Sequence, residues 1–221
     1  MLRKKILETF VGRELDDSAF RSRTHYQIGI KLSGKGLLDL ARAEFSKATK
    51  LDSDFAEAHL ELGSTYLNLG RLDEAIQAYK EALRIRPEYV EAYCNLGLAY
   101  DRSGNFIKAL GMYTKAIRYS PRDVDLYINL GLAYFNIGNY SEAIRAYERA
   151  TEICPQDGRA RYYLGLVHLD LEDKESAMAE HKELKRLGDD VLASLLLDEI
   201  QRQTWRLPPG ANRDLKTRAS D

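Results

Sequence analysis

The sequence predicts an all-α protein built from repeated helical hairpins, and two internal alignments carry this prediction. When the 221-residue chain is compared with itself at an offset of 34 residues, the hexapeptide NLGLAY at 95–100 aligns with a second copy at 129–134. The same offset aligns five glycines in one column, and twelve residues further on it aligns five alanines. Glycine is about 7% of average sequence, so the glycine column has a chance probability on the order of one in a million. The columns are Gly29, Gly63, Gly97, Gly131 and Gly165, and Ala41, Ala75, Ala109, Ala143 and Ala177.

The third repeat, residues 90–123, shows why each unit is predicted to contain two helices. Apolar residues recur along the first helix at steps of three and four: Tyr93, Leu96 and Tyr100. Gly104 follows, and glycine readily adopts the left-handed conformation that ends a helix. A second apolar face comes next: Phe106, Ala109, Leu110, Tyr113, Ala116 and Ile117. Pro121 cannot continue this helix, so the pattern predicts a helix-turn-helix unit.

The small residues of the repeat are predicted to let neighbouring helices approach closely. Gly97 of the first helix is expected to face Ala109 of the second, with tyrosine side chains filling the space on either side. Ala116 is expected to let the second helix pack tightly on the first helix of the next repeat. Leucine in place of Gly97 should overpack this crossing, at a cost of roughly 1–3 kcal/mol.

The order of aromatic, Leu-Gly, Tyr, Gly, Ala, aromatic, Ala and Pro within 34 residues resembles the tetratricopeptide repeat family. The resemblance implies a right-handed superhelical solenoid of about five helix-turn-helix repeats. The first repeat departs from the pattern at Leu32 and Ser53, and the fifth lacks the proline. Atypical terminal repeats are expected, because they face solvent on one side. The predicted repeats are 22–55, 56–89, 90–123, 124–157 and 158–190.

The segments that flank the repeats are predicted to be capping helices. One apolar stripe indicates an N-terminal capping helix within residues 1–21: Leu7, Phe10, Val11 and Leu15. Another indicates a C-terminal capping helix at 191–206: Leu192, Leu195, Leu196 and Ile200. Glu199 falls in the glycine column, so this helix is not predicted to be a sixth repeat. Two prolines then end regular structure, and the polar segment 207–221 is predicted to be disordered.

The overall composition argues against several classes of protein. The 33 basic and 34 acidic side chains nearly cancel, which disfavours a nucleic-acid-binding protein that works through bulk charge. Glu8, Arg13 and Glu14 interrupt any long apolar run near the N-terminus, so neither a secretory signal nor a membrane span is predicted. The two cysteines match no metal or redox spacing. The simplest prediction is a cytoplasmic protein without direct membrane insertion.

The four histidines are the candidates for a metal or catalytic site, and each stands in a packing column. His25 and His59 occupy the first aromatic column, and His168 and His181 replace packing aromatics of the fifth repeat. Hydrogen-bonded, half-buried imidazoles are therefore predicted, and no cysteine or glutamate motif completes a zinc site. The sequence has no phosphate-binding loop or nucleophile motif. We predict neither catalysis, nor a metal, nor a cofactor.

Side chains of the first helices that do not pack within the repeats are predicted to line a concave surface. The resemblance implies that this surface is the ligand groove. A side-chain amide offers a donor and an acceptor, as a peptide group does, so Asn95 and Asn129 are predicted to bind a peptide backbone. The alternative, that asparagine only tolerates solvent there, stays open. The predicted groove residues are Tyr26, Gln27, Leu60, Glu61, Ser64, Cys94, Asn95, Leu98, Ile128, Asn129, Leu132, Phe135, Arg159, Tyr162 and Tyr163.

The composition of the groove predicts the chemistry of its ligand. A fully buried apolar side chain contributes about 1.5–3 kcal/mol and a hydrogen bond roughly 0.5–1.5 kcal/mol, so a peptide with two or three large apolar residues is expected. Glu57, Glu91 and Asp125 at the groove edge disfavour an acidic peptide. The carboxylate-binding clamp of chaperone adaptors in this family is incomplete, because Cys94 and Leu98 stand at partner positions.

The sequence therefore predicts a non-catalytic scaffold or adaptor that binds a peptide segment of a partner protein. Two alternatives stay open. In the first, the terminal helices dock on another copy and the chain is a self-assembling structural scaffold that forms homo-oligomers. In the second, the chain is a co-chaperone-like adaptor or recruits an enzyme, and the sequence does not identify that partner.

Overall fold

The structure, a computed structural model, describes the backbone of residues 2–204 and the side chains of residues 17–202. The described backbone contains eleven α-helices and no strand, so the prediction of an all-α fold is confirmed. None of these helices is both long and apolar enough to cross a membrane. The helices are α1 (Leu2–Ser33), α2 (Leu38–Leu51), α3 (Ala56–Asn68), α4 (Leu72–Ile85), α5 (Val90–Arg102), α6 (Phe106–Tyr119), α7 (Val124–Asn136), α8 (Tyr140–Ile153), α9 (Gly158–Asp170), α10 (Lys174–Leu187) and α11 (Asp190–Thr204).

The chain forms two compact units that divide between Ala133 and Tyr134. Unit 1 contains α1 to α6 and most of α7, and unit 2 contains the end of α7 and α8 to α11. In unit 1 the helices pair as the hairpins α1–α2, α3–α4 and α5–α6, and α2 and α4 also pack on the first helix of the following hairpin. In unit 2, α9 pairs with α10 and also packs on α8 and α11. This alternation is the arrangement of stacked helical hairpins.

A residue with left-handed backbone geometry follows the first helix of each hairpin. At Gly104 the φ angle is +74°, which confirms the prediction that this glycine closes α5. The turn between α9 and α10 has Glu172 at the equivalent position, with a φ angle of 60°. Left-handed geometry costs a residue with a Cβ atom roughly 1–2 kcal/mol, so this turn is strained where the others are not.

Replacing Glu172 with glycine is expected to raise the free energy of unfolding by up to about 1 kcal/mol, because the strain is relieved while the greater freedom of glycine in the unfolded chain offsets part of the gain. Urea unfolding followed by circular dichroism measures the change. Glu175→Gly, in the first turn of α10, is the matched control and should lower stability by roughly 0.5–1 kcal/mol. Equal changes in the two variants would show that the turn is not strained.

In unit 1 the glycine column accommodates aromatic rings from the second helices. A Cβ atom added to Gly97 would lie 2.5 Å from Cε1 of Tyr113, and one added to Gly63 would lie 2.6 Å from Cε1 of Tyr79. Both tyrosines are fully buried. The glycine column does permit a close approach, but the partner differs from the prediction. The three atoms nearest to a Cβ atom on Gly97 all belong to Tyr113 and none to Ala109, because the tyrosine ring fills the space that the missing side chain leaves.

The first helix, α1, is continuous from the N-terminal segment into the first hairpin. The boundary predicted at residue 21 falls inside this helix. Ser22 is fully buried, and its hydroxyl donates a hydrogen bond of 2.9 Å to the carbonyl oxygen of Ala48, which joins α1 to α2. The predicted stripe of the N-terminal cap lies outside the residues whose side chains are described: Leu7, Phe10, Val11 and Leu15.

The last described helix, α11, packs on unit 2 through one apolar face. Ala193, Leu196 and Ile200 are spaced by three and four residues and are buried, whereas Leu195 lies off this face and is 47% exposed. A Cβ atom added to Gly165 would lie 2.5 Å from Cδ2 of Leu196. A leucine of α11 therefore has the place next to glycine that an aromatic residue of the second helix has in unit 1. Residues 205–221, which include the predicted tail, lie outside the described part of the chain.

Candidate functional site

The first helices of unit 1 share a surface, here called the first-helix face, formed by α1, α3, α5 and the start of α7. Side chains from neighbouring helices meet on it: Nδ2 of Asn129 on α7 donates a hydrogen bond of 3.5 Å to Sγ of Cys94 on α5. Further along, the negative charges of Glu61 on α3 and Glu91 on α5 act on Tyr26 of α1. The structure thus brings together predicted groove residues from successive repeats.

The exposure of the predicted groove residues differs from one position to the next. Leu60 and Ile128 are 2% and 5% exposed, so both are core residues that support the surface and do not present a side chain to a ligand. Gln27 and Arg159 are exposed, and Nη2 of Arg159 lies 2.6 Å from Oδ2 of Asp157. The other predicted residues are half-buried: Tyr26, Glu61, Ser64, Cys94, Asn95, Leu98, Asn129, Leu132, Phe135, Tyr162 and Tyr163.

The two asparagines of the repeated hexapeptide have different surroundings. Asn129 donates one N–H of its side-chain amide to Cys94, whereas the side-chain amide of Asn95 has no hydrogen-bond partner among the described residues. An amide has two N–H donors and one acceptor oxygen, so both side chains retain hydrogen-bonding capacity. Burial raises the pKa of the Cys94 thiol to about 11, so this thiol is neutral at pH 7 and is not an activated nucleophile.

Two carboxylates on the first-helix face lack a basic partner. Neither Glu61 nor Glu91 forms an ion pair within the described part of the chain. Burial, and then the charge of Glu91, raise the pKa of Glu61 above its ordinary value. Glu57 differs, because Arg86 donates a hydrogen bond to it and this bond holds the pKa of Glu57 below its ordinary value. The negative charge of this surface is therefore only partly compensated.

Tyrosine rings lie beside these carboxylates. Burial, with a smaller contribution from Glu91, raises the pKa of Tyr89 to about 12. Burial and then the charge of Glu61 raise the pKa of Tyr26 in the same direction. The Arg86 guanidinium already lies 4.5 Å from the centroid of the Tyr89 ring. Aromatic rings next to uncompensated carboxylates suit a cationic side chain, because both attract positive charge.

A further carboxylate, Asp101, lies at the end of α5. The Tyr113 hydroxyl donates a hydrogen bond of 2.7 Å to Oδ2 of Asp101, and Oδ1 is buried with no hydrogen-bond partner among the described residues. Burial raises the pKa of Asp101 above its ordinary value. The hydrogen bond holds the ring that packs on Gly97, so it links this carboxylate to the hairpin core.

Unit 2 contains a pocket of about 410 Å³ between the end of α7, α9 and α11, here called the α11 pocket. Its apolar residues are Phe135, Tyr162, Leu166 and Leu169, and its polar residues are Asp170, Glu199 and Arg202. Nη1 of Arg202 donates a hydrogen bond of 2.6 Å to Oε1 of Glu199. Of the predicted groove residues, Phe135 and Tyr162 line this pocket, whereas Tyr163 stacks on Tyr147 with ring centroids 5.5 Å apart.

Three of the four histidine side chains form hydrogen bonds with neighbouring groups of the fold. The contacts are His25 Nδ1 to Glu44 Oε2 at 2.6 Å, His59 Nε2 to the Ser53 carbonyl oxygen at 3.1 Å, and His181 Nδ1 to the Ala193 carbonyl oxygen at 2.9 Å. The prediction of hydrogen-bonded, half-buried imidazoles is confirmed for these three. In the region that the structure describes, no group of three or more His, Cys, Asp or Glu side chains is placed to hold a metal ion.

Two family models match the sequence. One, described as TPR repeat, matches residues 35–70 and 63–104. The other, described as tetratricopeptide repeat, matches residues 94–158 and 138–190. Together they extend over 35–190 without a break. The chain belongs to the tetratricopeptide repeat family. The solenoid of tetratricopeptide hairpins is therefore confirmed, while the bounds of the five individual repeats stay a prediction.

Solved structures of tetratricopeptide proteins resemble this one. A crystal structure of MamA is 30% identical, with a TM-score of 0.69 over 74% of this chain and 95% of that chain. A MamA structure from Desulfovibrio magneticus RS-1 is 19% identical, with a TM-score of 0.71 over 77% and 96%. YrrB, described as a TPR protein with an unusual peptide-binding site, is 24% identical, with a TM-score of 0.65 over 79% and 90%. The last two share only the fold. A comparison with curated protein sequences gives no match.

The tetratricopeptide fold supports a general role as a scaffold for protein–protein interactions.

Proposed function

We propose that this tetratricopeptide protein is a non-catalytic scaffold that binds an extended peptide segment of a partner protein on the first-helix face of unit 1. One observation carries the proposal: Glu61 and Glu91 lie close enough to interact, have no basic partner among the described residues, and are flanked by Tyr26 and Tyr89. The peptide therefore carries a lysine or arginine beside its apolar residues. The binding site described for YrrB, which has the same fold, supports a peptide as the class of ligand.

The acidic part of the surface accounts for the preference for a cation. Glu61 is half-buried, so its negative charge is poorly solvated and is also repelled by Glu91. A ligand cation removes this repulsion, and contact with a tyrosine ring adds roughly 0.5–2 kcal/mol. An acidic peptide would instead add a like charge at the same place. The charges thus select among peptides of similar apolar content.

The remainder of the surface accounts for most of the affinity. Leu98 and Leu132 are half-buried and can lose further apolar area to a ligand. Asn95 and Asn129 offer amide groups to a peptide backbone at roughly 0.5–1.5 kcal/mol for each hydrogen bond. Association costs an estimated 4–15 kcal/mol, so the amides and the cation together are insufficient without apolar contacts. The ligand is therefore expected to combine one basic residue with two or three large apolar ones.

A peptide array tests this charge preference. Its members share their apolar residues and differ at one position, which is lysine, glutamine or glutamate, and fluorescence anisotropy gives the affinity of the best binders. The double variant Glu61→Gln with Glu91→Gln is expected to lower the affinity for the lysine peptide by about fivefold to tenfold, equivalent to roughly 1–1.4 kcal/mol. Its affinity for the glutamine peptide should be nearly unchanged. Glu148→Gln with Glu175→Gln, at exposed positions of unit 2, changes the net charge equally and should have no effect.

The same lysine peptide should lose affinity as the pH falls through the pKa of Glu61, because protonation removes the carboxylate charge. This pKa is raised, so the loss begins at a higher pH than it would for an ordinary glutamate. The double glutamine variant should show a smaller pH dependence. The proposal is wrong if wild-type protein binds the lysine and glutamate peptides equally well.

Self-assembly is the second candidate function, and exposed apolar side chains favour it. Val191 and Leu195 of α11 are 71% and 47% exposed, and Phe20 of α1 is 70% exposed. The opposite face of α11 is already buried within unit 2, so only these outward residues are available to another copy. Light scattering across a range of concentrations separates the candidates, since a concentration-independent monomer excludes a self-assembling scaffold.

A co-chaperone-like role receives less support from the structure. The guanidinium of Arg159, the one basic residue among the predicted groove positions, forms an ion pair with Asp157 just before α9. Recruitment of an enzyme is a special case of the scaffold, in which the bound peptide belongs to that enzyme.

A further inference from the structure

Ile28 on α1 occupies a position that is covered in three of the later repeats. In the 34-residue register it corresponds to buried leucines: Leu62, Leu96 and Leu164. Leu62 is buried in one cluster with Ala41 and Phe45 of α2, so the second helix of the preceding hairpin covers it. No second helix precedes α1, because the chain before Ile28 belongs to the same helix back to Leu2. Ile28 is therefore 41% exposed, on the side of the first hairpin where a preceding hairpin would stack.

This open side is apolar at positions where the other repeats are polar. Leu37 and Leu40 are exposed, and in the second repeat Leu62 and Glu74, the equivalents of Ile28 and Leu40, line one groove between α3 and α4. By the same register, Ile28 and Leu40 lie on one side of the first hairpin. The later repeats have only polar residues at these two positions: Arg71, Asn105, Asn139 and Asp173 for Leu37, and Glu74, Lys108, Glu142 and Ser176 for Leu40. Clustered apolar residues at an exposed surface indicate contact with another protein surface.

Helix α11 occupies the place of a further first helix at the other end of the array. It packs on both α9 and α10, as α5 packs on both α3 and α4. Its outward residues Val191, Leu195 and Asp198 are exposed. No helix follows α11 in the part of the chain that the structure describes, so this side is open where a further hairpin would continue the array.

The exposed residues of the two open sides have the same spacing. On each helix the members are separated by steps of four and then three residues: Thr24, Ile28 and Lys31 form the α1 stripe, and Val191, Leu195 and Asp198 form the α11 stripe. First helices of successive repeats run in the same direction, because the second helix of each hairpin reverses the chain between them. Two first helices placed side by side in this way bring the stripes into register.

The two stripes are also complementary in chemistry. In that register Ile28 lies opposite Leu195, and Lys31 lies opposite Asp198. Neither Lys31 nor Asp198 forms an ion pair within the described part of the chain, so each has a charge available for a partner. The hydroxyl of Thr24 donates a hydrogen bond of 2.9 Å to the carbonyl oxygen of its own helix at residue 20, so it needs no other partner in a contact.

We infer that copies of this chain associate head to tail, with the α11 stripe of one copy packed on the α1 stripe of the next. The two surfaces differ, so the contact is heterologous and each added copy presents a further open stripe. The inference rests on the second candidate function, self-assembly, and specifies the surfaces that carry it. It is independent of peptide binding, because neither stripe contains a residue that the peptide proposal uses.

Light scattering of the full chain over a range of concentrations tests the two stripes separately. The mean mass of the wild-type protein is expected to rise with concentration. Ile28→Glu disrupts the α1 stripe and Leu195→Glu disrupts the α11 stripe, so each variant alone should stay monomeric. An equimolar mixture of the two should form a heterodimer and nothing larger, because one intact stripe of each kind remains. Ile107→Glu, at an exposed position of α6, is the matched control and should associate as the wild type does.

A charge exchange tests the same contact without changing an apolar residue. Lys31→Glu and Asp198→Lys are each expected to lower the association constant by about threefold to tenfold, because each places like charges opposite one another. The double variant restores the opposite charges and should recover most of the loss. Both residues are exposed, and circular dichroism verifies that each variant keeps its helices.

Three results would overturn the inference. A wild-type chain that is monomeric at every concentration would exclude it together with the second candidate function. Oligomers that persist in both Ile28→Glu and Leu195→Glu would exclude the head-to-tail contact and leave self-assembly through another surface. A mixture of these variants that stays monomeric would show that the intact stripes do not bind each other. Peptide affinity is a separate measurement, so the peptide proposal stands or fails by itself.

Discussion

Alanine in place of Gly97 is expected to lower the free energy of unfolding by about 1–3 kcal/mol, because the new Cβ atom overpacks the core. The same change inside an exposed helix ordinarily stabilises a protein by roughly 0.5–1 kcal/mol. Here the Cβ atom would lie 2.5 Å from Cε1 and 2.8 Å from Cζ of Tyr113. That ring is fully buried and is held by the hydrogen bond from its hydroxyl to Asp101, so it cannot move aside without breaking other contacts.

Gly111 provides a matched control within the same hairpin. It lies inside α6 and is exposed, and an added Cβ atom would meet nothing within 4 Å. Gly111→Ala is therefore expected to stabilise the protein by roughly 0.5–1 kcal/mol. Urea unfolding measures both changes, and combining Gly97→Ala with Tyr113→Leu should recover part of the loss. If the two alanine variants were equally stable, the ring-on-glycine contact would not explain the glycine column.

Simultaneous alanine substitution of Asn95, Leu98 and Asn129 is expected to lower the affinity for the tightest-binding peptide of the array at least tenfold. Loss of apolar burial at Leu98 and of hydrogen bonds from the two amides should together exceed about 1.4 kcal/mol, which corresponds to a tenfold change in Kd. All three side chains are half-buried on the first-helix face, and Leu98 also packs against the core, so urea unfolding must verify that the variant is folded. Fluorescence anisotropy with the labelled peptide gives the Kd values.

The control for this variant removes side chains from a second helix instead. Ile107 and Thr114 are exposed on α6, and Ile107 is 71% exposed. Ile107→Ala with Thr114→Ala should leave the Kd unchanged. Unchanged affinity in the triple variant, with unfolding free energy close to wild type, would remove the first-helix face as the binding surface. It would also decide between a peptide-binding and a merely solvent-tolerant role for the asparagines.

The repeat columns predict most of the fold, because each column reflects a requirement of the local backbone, either an apolar helix face or a residue that ends a helix. The apolar steps from Tyr93 to Tyr100 lie within α5, and Gly104 adopts the left-handed geometry needed to end it. The columns do not predict which residue of α6 contacts Gly97. Both Ala109 and Tyr113 lie on the inner face of α6, and only the packing of the two helices places the ring on the glycine.

The candidate site is less predictable, because exposure depends on neighbours that the columns do not specify. Leu60 and Cys94 stand in the same column, yet Leu60 belongs to the core and Cys94 is half-buried. The pairing of Arg86 with Glu57, which leaves Glu61 and Glu91 uncompensated, joins residues 29 positions apart: Glu57 lies on α3 and Arg86 directly follows α4. Such a pairing depends on how the two helices of one hairpin pack, and repeat periodicity carries no information about the ends of long side chains.

The sequence by itself determined that this chain is an array of tetratricopeptide hairpins, since a small residue recurring every 34 positions is compatible with few other folds. The tertiary structure decided which side chains of the first-helix face stay accessible and which helix packs on Gly165. In the 34-residue register, His181 of α10 is the equivalent of Tyr113, but His181 bonds the Ala193 carbonyl oxygen, and Leu196 of α11 packs on Gly165. The physical reason is that a helix outside the repeat register is positioned by the apolar surface available to it, and that surface exists only after the hairpins have packed.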